Sequence, residues 1–430
     1  MTDDSQSPGR QTDPPAAGLL RRHPDFRRLW AGETVRAFGA SVTGLVLPLV
    51  AVSTLHADTF AVSLLGAATW VPWLVIGLPA GAWVDRMRRR PVMLASDAVC
   101  CVLFASIPIA AWAGLLSMAQ LMAVALLTGA AAVFFETAYV AYLPTLLAPE
   151  DRAEGNAKLH GSDSAARLVG VGSGGLLAQV LGIANGLLAN TATFLVSFVC
   201  IARIGQREPP PERAERTRGA LAREIREGLS MVAGDPYLRS FTLFGATANL
   251  VLTAYQSIAV VFLFREVGLS SGMIGVVGTV GGLGSVLGSL VVRRASDRFG
   301  SARALLLFET GLLSFAPLIA LTGPGAGLLL YVIGSAAVGT GVVAGNIIKA
   351  GFLQRYCPSD ALGRISASSA FLNYGAMPLG ALMGGALGTA AGLRPALLAL
   401  TVLLPLSTLI LFFSPVRSRR ELPERALRAA

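Results

Sequence analysis

A short charged stretch of the chain reads Gly81-Ala82-Trp83-Val84-Asp85-Arg86-Met87-Arg88-Arg89-Arg90; it begins in the last turn of one apolar segment, 60–84, and ends just before the next, 91–114. Each segment exceeds the roughly 20 residues that an α-helix needs to cross the hydrocarbon core of a bilayer. Basic residues clustered in a short loop between such segments are typical of membrane proteins. The stretch therefore predicts a hairpin of two transmembrane helices.

The composition extends this prediction to the whole chain. Of 430 residues, 53% are hydrophobic and only 14% are charged, with a mean hydropathy of +0.63. Soluble domains carry about 25% charged residues. We predict an all-α polytopic membrane protein, because the apolar segments are long and unbroken whereas barrel strands are short and alternating. The twelve predicted transmembrane helices are 27–55, 60–84, 91–114, 118–146, 161–181, 185–204, 238–264, 272–292, 303–323, 326–352, 366–390 and 394–414.

The basic residues are distributed unevenly between the two sides of the predicted bundle. The terminal tails and the loops that follow even-numbered helices hold 30 of the 35 Lys and Arg. The opposite loops hold Arg265 and Arg394, and the predicted helices hold Arg36, Arg167 and Lys349. By the positive-inside rule, both termini are expected in the cytoplasm. The net charge of +10 thus follows topology, and a nucleic-acid partner is not expected, since its binding needs a continuous basic face.

The predicted helices repeat after the sixth. Asp85-Arg86 corresponds to Asp297-Arg298, and Asp97 corresponds to Glu309, each pair 212 residues apart. Two homologous six-helix halves are the architecture of many secondary transporters. We expect a disordered cytoplasmic N-terminal tail (1–25), an N-terminal six-helix half (26–204), a cytoplasmic linker with an amphipathic helix (205–237), a C-terminal six-helix half (238–414) and a cytoplasmic C-terminal tail (415–430).

The charged hairpin resembles the loop signature between helices 2 and 3 of the major facilitator superfamily. Asp297-Arg298-Phe299-Gly300 is similar to its weaker second copy. The stretch Gly375-Ala376-Met377-Pro378-Leu379-Gly380 in helix 11 resembles the enterobactin-exporter and macrolide-efflux branch. The resemblance covers roughly residues 20–415 and implies a twelve-helix secondary transporter. The chain departs from the drug–proton antiporters of that family in helix 4, which lacks their Arg and reads Ala125-Leu126-Leu127-Thr128-Gly129.

The charged hairpin has a candidate role as a conformational latch. A carboxylate at a helix end can accept hydrogen bonds from a neighbouring helix N-terminus, and arginines can pair with carboxylates or lipid phosphates. The alternative is that these charges only fix topology. The latch candidates are Gly81, Asp85, Arg86, Arg89, Arg90, Asp297 and Arg298.

Charged residues inside the predicted helices are candidates for proton coupling. Glu33 and Arg36 lie on one helix face and can neutralise each other, either as a structural ion pair or as part of the coupling site. Glu136 lies deep in helix 4 among aromatic residues, where an isolated carboxylate costs several kcal/mol or takes up a proton. Its alternative role is to pair with Arg167 or Lys349. Asp97 and Glu309 are expected to pair with the nearby arginine clusters.

Polar side chains without charge complete the candidate site. Those that can line a cavity between the halves are Asn249, Tyr255, Gln256, Asn346, Asn373 and Tyr374, and each can instead bond neighbouring helices. Because the helix interiors hold few charges, the expected substrate is a small amphiphilic organic molecule such as a drug, antibiotic or siderophore.

The predicted function is export of that molecule by proton antiport with alternating access. An importer or an uncoupled facilitator is the alternative, since the fold does not set direction. The chain has no ATP-binding GxxxxGK[ST] motif and no metal-ligand or nucleophile pattern, so neither an enzyme nor a cofactor is expected. The expected partners are the substrate, protons and membrane lipid. Only two lysines occur among many Arg, Ala and Gly, a composition that favours a bacterium with a GC-rich genome. The expected location is the bacterial cell membrane. We expect the protein to be a monomer.

Overall fold

The computed structural model describes residues 18–84, 86–206, 208 and 220–424, and these residues form helices and loops without a strand. The all-α prediction is therefore confirmed. Twelve helical segments of this described part are labelled in chain order: α1 (Pro24–Ser53), α2 (Thr59–Val84), α3 (Arg89–Trp112), α4 (Met118–Leu146), α5 (Arg152–Leu181), α6 (Gly186–Ala202), α7 (Pro236–Arg265), α8 (Ser271–Phe299), α9 (Ser301–Ala320), α10 (Leu328–Tyr356), α11 (Ser359–Ala391) and α12 (Leu393–Phe412).

Within the described ranges, ten helices are long and apolar enough to cross a membrane. The two others are α6, which has only 17 residues, and α11, which is rich in Gly, Ala and Ser. Both lie where the sequence predicts a span, so twelve crossings stay a prediction. Two predicted helices are interrupted. In α9, a π-helical turn at Leu307–Leu312 precedes a break before Pro317, and α12 is interrupted between Ser407 and Leu409.

Local sequence explains where several helices begin and end. The Asp235 side chain accepts hydrogen bonds of 2.9 Å from the backbone N–H groups of Tyr237 and Leu238 and so caps α7. Gly300, at φ 88°, ends α8 in a conformation that disfavours side chains. The predicted start of α5 at 161 is late by nine residues, since the helix begins at Arg152. The prediction relied on a run of apolar residues. The first turns of α5 are polar, so they lack that run although they are helical.

Three hydrophobic clusters show how the two halves are arranged. One cluster joins both halves and contains residues of α1 such as Val46 together with residues of α7 such as Ile258. A second cluster lies in the N-terminal half around Phe26 and Tyr142, and a third lies in the C-terminal half around Phe352. We call the side where α1 begins and α12 ends the terminal side. The shared cluster lies toward the opposite side, whereas each half has its own cluster at the terminal side.

Glycines bring the halves together on the opposite side. A Cβ added at Gly175 of α5 would lie 2.5 Å from the carbonyl oxygen of Ser271 in α8, and one at Gly385 of α11 would lie 2.5 Å from the Ser63 Cβ of α2. Close helix approach of this kind requires small residues. Nearer the terminal side, no described atom lies within 4 Å of a Cβ added at Gly161 of α5. The side-chain hydrogen bonds between the halves also lie toward the opposite side, and the two clusters of the terminal side stay separate. Among the described residues, the bundle is thus closed on the opposite side and open on the terminal side.

The linker between the halves contains the predicted helix. It runs over Ala220–Gly234 and packs on α11, where a Cβ at Gly228 would meet the Arg364 carbonyl oxygen at 2.7 Å. Glu227 also forms an ion pair of 2.9 Å with Arg364. The linker helix therefore rests against the protein itself. Residues 207 and 209–219 of the predicted linker, 1–17 of the N-terminal tail and 425–430 of the C-terminal tail lie outside the described residues.

The described part of the C-terminal tail folds back on the bundle. The Ala302 N–H donates a 3.1 Å hydrogen bond to the Arg420 carbonyl oxygen, and the Leu422 N–H donates one of 2.9 Å to Ser301 Oγ. Val416 and Leu422 are buried in the cluster of the C-terminal half. The tail therefore covers the junction of α8 and α9 on the terminal side.

Candidate functional site

The first element of the site is a cluster of charges in the N-terminal half. Arg36 of α1 donates two hydrogen bonds to Glu33, of 3.0 and 3.1 Å, and one of 3.4 Å to Glu136 of α4. Its guanidinium also lies over the Phe135 ring, 3.9 Å from the centroid. The Glu136 side chain is 43% exposed, against 11% for Glu33. The structure therefore joins all three predicted coupling residues, and Glu136 is neither isolated nor fully buried.

The other predicted partners of Glu136 bind elsewhere. Arg167 pairs with Asp163 one turn earlier on α5, at 2.9 Å. Lys349 of α10 donates a 2.9 Å hydrogen bond to Glu309 of α9. The suggestion that Arg167 or Lys349 neutralises Glu136 directly is therefore wrong, because the cation that reaches Glu136 comes from α1.

The two carboxylates related by the repeat also have different partners from those predicted. Asp97 of α3 is 1% exposed, and its Oδ2 accepts a 2.6 Å hydrogen bond from Ser197 Oγ of α6. Its Oδ1 is buried without a hydrogen-bond partner among the described residues. Glu309 is paired with Lys349. The expectation that both acids pair with the loop arginine clusters is wrong, because both side chains are buried within their own half.

The second element of the site is a cavity of about 240 Å³ within the C-terminal half. Its walls come from α7, α9, α10, α11 and α12. Polar groups on these walls are Thr242, Asn249, Glu309, Asn346, Lys349, Ser369 and Asn373. Phe241, Phe244 and Phe352 supply aromatic surface. A mainly apolar cavity with a few polar groups is the usual form of a small-molecule site.

The structure brings together some of the predicted cavity residues and separates others. Asn249, Asn346 and Asn373 all line the cavity. Tyr255 instead belongs to the shared hydrophobic cluster, and Gln256 is exposed. Tyr374 packs on Trp73 of α2, with ring centroids 5.3 Å apart, and so forms a contact between the halves.

The hairpin after α2 contains an ion-pair network whose acid, Glu208, was not among the predicted site residues. Asp85 lies outside the described residues, so its latch role stays a prediction. Arg86 is exposed, and a Cβ added at Gly81 would meet no described atom within 4 Å. The backbone N–H of Arg89 donates a 2.9 Å hydrogen bond to Glu208, and so does the Arg89 guanidinium at 3.3 Å. Glu208 thus occupies the N-terminus of α3, a position where a carboxylate is favoured.

Arg90 connects the same hairpin to α6. Its guanidinium donates hydrogen bonds to the Ile201 and Ala202 carbonyl oxygens at the end of that helix. In the second copy of the motif, Asp297 and Arg298 are both exposed, and Arg298 lies over the Phe299 ring at 5.4 Å. Glu208 was missed because it lies in a charged linker where sequence spacing gives no signal for a cap.

The described residues contain no group of three or more His, Cys, Asp or Glu side chains placed to hold a metal ion. The four cysteines are free thiols. The site therefore consists of paired charges in one half and a polar cavity in the other, both inside a bundle of two similar halves. This fold and site define the class of helical membrane transporters.

Comparison with known sequences specifies the family. The sequence model of the Major Facilitator Superfamily matches residues 29–262 and 242–429. The chain belongs to this superfamily, as the hairpin motif indicated. It is therefore a multi-pass membrane protein that transports a small molecule, and not an enzyme.

Characterised relatives match over nearly the whole chain. The multidrug efflux pump Tap of Mycolicibacterium fortuitum is 28% identical over 405 residues, which cover 92% of this chain and 96% of Tap. The enterobactin exporter EntS of Escherichia coli O81 (strain ED1a) is 26% identical over 379 residues, covering 86% of each chain. Both are bacterial efflux transporters, so the resemblance to an exporter branch is confirmed, and the chain is assigned to a bacterial membrane.

Solved structures share the fold at lower identity. A mutant of the nucleoside transporter NupG superposes with a TM-score of 0.74 at 11% identity, covering 90% of this chain and 100% of NupG. A bacterial homologue of the human lysosomal transporter Spinster, in an inward-facing and unoccupied conformation, gives a TM-score of 0.73 at 15% identity, covering 96% of this chain and 100% of that structure.

Proposed function

We propose that this transporter exports a small amphiphilic organic molecule from the cytoplasm by proton antiport, with Glu136, Arg36 and Glu33 as the coupling site. The observation that carries the proposal is that one guanidinium binds two carboxylates in the N-terminal half. With all three groups ionised, the cluster holds one negative charge more than it holds positive charge. A proton neutralises that excess, and so does a cationic group of a substrate.

In the proposed antiport, the proton and the substrate compete for this one excess negative charge. A proton on Glu136 weakens its hydrogen bond with Arg36, while the bidentate pair of Arg36 with Glu33 remains. Because the Glu136 side chain is 43% exposed, a proton or a substrate can reach it from the open side of the bundle. Glu33 is more buried and holds Arg36 in place.

Orientation decides which side of the bundle faces the cytoplasm. The 30 of 35 basic residues in the tails and even-numbered loops favour the cytoplasm as the terminal side. In that orientation the bundle is open to the cytoplasm, where an exporter takes up its substrate. Alternating access then opens the opposite side, where Gly175 and Gly385 are in contact with the other half. The whole-length similarity to Tap and EntS also supports export.

Accumulation assays test the proposal. Cells of a pump-deficient bacterium that produce this protein are loaded with ethidium, rhodamine 6G and Nile red, and cell fluorescence is followed with and without a protonophore. We expect lower steady-state accumulation of at least one dye, and the protonophore should abolish the difference. An uncoupled facilitator would instead speed equilibration without changing the final level, and an importer would raise it.

A further inference from the structure

The cavity of the C-terminal half has room for part of a drug-sized molecule. Its wall on α7 begins at Leu238 near the terminal side and reaches Leu252, a rise of about 21 Å for the 14 residues between them. The volume of about 240 Å³ is below the roughly 300–1,000 Å³ of sites that enclose such a molecule. The cavity therefore fits one ring system of a larger substrate.

Two asparagine amides on the cavity wall are accessible to a ligand. Asn346 of α10 is exposed and Asn249 of α7 is half-buried, and neither side chain makes a hydrogen bond within the described part of the chain. By contrast, the hydroxyls of Thr242 and Ser369 bond each other at 3.0 Å. A side-chain amide carries both donors and an acceptor, so a ligand can bind either asparagine without breaking a contact inside the protein.

The accessible charge of the cavity is positive. Lys349 of α10 exposes 19% of its side chain, against 2% for Glu309. The Lys349 ammonium donates one hydrogen bond of 2.9 Å, to Glu309, and lies 4.8 Å from the centroid of the Phe244 ring. An ammonium has three N–H donors, so Lys349 keeps donors that no acceptor among the described residues occupies. A ligand in this cavity therefore meets a cationic donor.

The ion pair also sets the charge of the ligand group. Glu309 balances Lys349, and no other ionisable side chain among the described residues lines the cavity. A carboxylate bound to Lys349 would leave one negative charge unbalanced in a site of low polarity, which is costly. A neutral carbonyl oxygen accepts the same hydrogen bond and leaves the charge balance unchanged. The cavity therefore favours a neutral acceptor, in contrast to the cluster around Arg36 with its excess negative charge.

Asn346 lies in position to bind the same ligand group as Lys349. The two residues are three positions apart on α10, a spacing that places their side chains on one face of the helix. Both line the cavity, and both carry N–H donors. A carbonyl oxygen has two lone pairs and can accept from both.

We propose that this cavity is a substrate subsite for an uncharged ring with a carbonyl oxygen, such as a lactone, lactam or quinone, which accepts hydrogen bonds from Lys349 and Asn346. The ring packs on the phenylalanines of the wall, and Glu309 stays paired with Lys349 behind it. This inference deepens the proposed function, since it names the chemistry that the transporter recognises, and it rests on the substrate being an amphiphilic organic molecule.

Equilibrium binding to the purified full-length protein in lipid nanodiscs tests the subsite, with empty nanodiscs as the reference. The probes are coumarin, 2H-chromene, in which a methylene replaces the carbonyl, and coumarin-3-carboxylate, which adds a negative charge. We expect coumarin to bind about 10- to 100-fold more tightly than chromene, the range that one hydrogen bond from a charged donor supplies. The carboxylate should bind more weakly than coumarin. Equal binding of coumarin and chromene, or tightest binding of the carboxylate, would overturn the proposal.

Variants of the two donors locate the preference. Asn346→Ala removes no contact inside the described protein and should weaken coumarin binding about 2- to 10-fold, the range of one neutral hydrogen bond, with chromene binding unchanged. The double variant Lys349→Met with Glu309→Gln removes the ammonium but keeps the site neutral, and it should abolish most of the preference for coumarin. Asn156→Ala, at an exposed position of α5 outside the cavity, is the matched control and should bind like the parent.

The outcomes separate this subsite from the proposed function. Unchanged coumarin binding in Asn346→Ala would show that the subsite is wrong, even where dye export is normal and the double variant does not fold. If the preference for coumarin depends on Asn346 and Lys349 but no dye export responds to a protonophore, the subsite stands and the proposed function fails.

Discussion

Arg36 and Glu136 are joined across α1 and α4 by a 3.4 Å hydrogen bond, while the same guanidinium holds Glu33 through two shorter bonds. The two carboxylates differ in exposure, and the more exposed one has the longer contact. When Glu136 takes up a proton and leaves Arg36, the guanidinium stays paired with Glu33, and the cluster is neutral. In the proposed antiport cycle, Glu136 is the acid that titrates and Glu33 is the acid that fixes the cation.

Replacing Glu136 with Gln should uncouple transport from the proton gradient. The amide keeps the shape of the protonated acid but cannot release a proton, so downhill substrate exchange should continue. In proteoliposomes with a gradient of about one pH unit, a one-for-one antiporter accumulates substrate about tenfold, because each 1.4 kcal/mol is a factor of ten. The Gln variant should reach a ratio of about one. Glu150→Gln, at an exposed loop position, is the control, and tenfold accumulation by E136Q would assign Glu136 a structural role.

The Glu309–Lys349 pair predicts a stability effect that depends on which partner is removed. Glu309 is 2% exposed, so Lys349→Met should leave a buried carboxylate without its cation. The free energy of unfolding should fall by about 3–5 kcal/mol, the usual cost of removing one partner of a buried ion pair. The double variant Lys349→Met with Glu309→Gln should regain most of that loss. Thermal unfolding in detergent measures both. A double variant no more stable than the single one would show that packing, not charge balance, dominates here.

Gly175 and Gly161 lie on the same helix and form a matched pair for testing closure. A methyl at Gly175 would press on backbone atoms of Ser271 and Gly275, which cannot rotate away, whereas one at Gly161 would meet nothing within 4 Å. Gly175→Ala should therefore open the opposite side, and Gly161→Ala should not. Reactivity of a cysteine introduced at Ser271 reports the opening. Unchanged reactivity in G175A would show that α5 and α8 adjust without separating.

Topology can be checked by labelling from outside the cell. In a variant without the four native cysteines, new cysteines at Gly182 and Gly325 should react with a membrane-impermeant maleimide, because few Lys or Arg lie on that side. A cysteine at position 216 should react only after permeabilisation. The reverse labelling pattern would show that the terminal side faces outward, and the proposed uptake of substrate from the cytoplasm would then be wrong.

The repeat in the sequence predicted where the buried acids lie but not what they bind. Asp97 and Glu309 are 212 residues apart, and each lies inside its own half. Their partners differ because Asp97 accepts a hydrogen bond from the Ser197 hydroxyl of α6, whereas Glu309 pairs with Lys349 of α10, so spacing along the chain carries no signal for the pairing. The helices themselves were predictable, since long apolar segments have few alternatives in a membrane.

Cavity residues were harder to predict than helices. Asn249, Asn346 and Asn373 line a cavity inside the C-terminal half, whereas the sequence predicted a cavity between the halves, and Tyr255 faces the shared core. Polarity alone does not show which face of a transmembrane helix contacts a cavity, because the flanking residues are apolar on every side. Interruptions such as the π-helical turn at Leu307–Leu312 also depend on packing with neighbouring helices. The Glu208 cap on α3 depends on a loop contact from a distant part of the chain.

The docked C-terminal tail predicts a pH-dependent change in the reactivity of Cys357. This residue follows α10 and is buried in the same cluster as Val416 and Leu422. Burial, together with the Asp235 carboxylate, raises the pKa of the Cys357 thiol to about 11. Because the thiolate is the reactive form, maleimide labelling of a variant that keeps only this cysteine should be slow at pH 7 to 9 and should rise toward pH 11. We expect truncation after Pro415 to expose the thiol and to return its pKa toward the usual value of about 8.5, so labelling at pH 8 should increase at least tenfold. Equal labelling rates in the truncated and full-length chains would show that the tail does not cover Cys357 in the membrane.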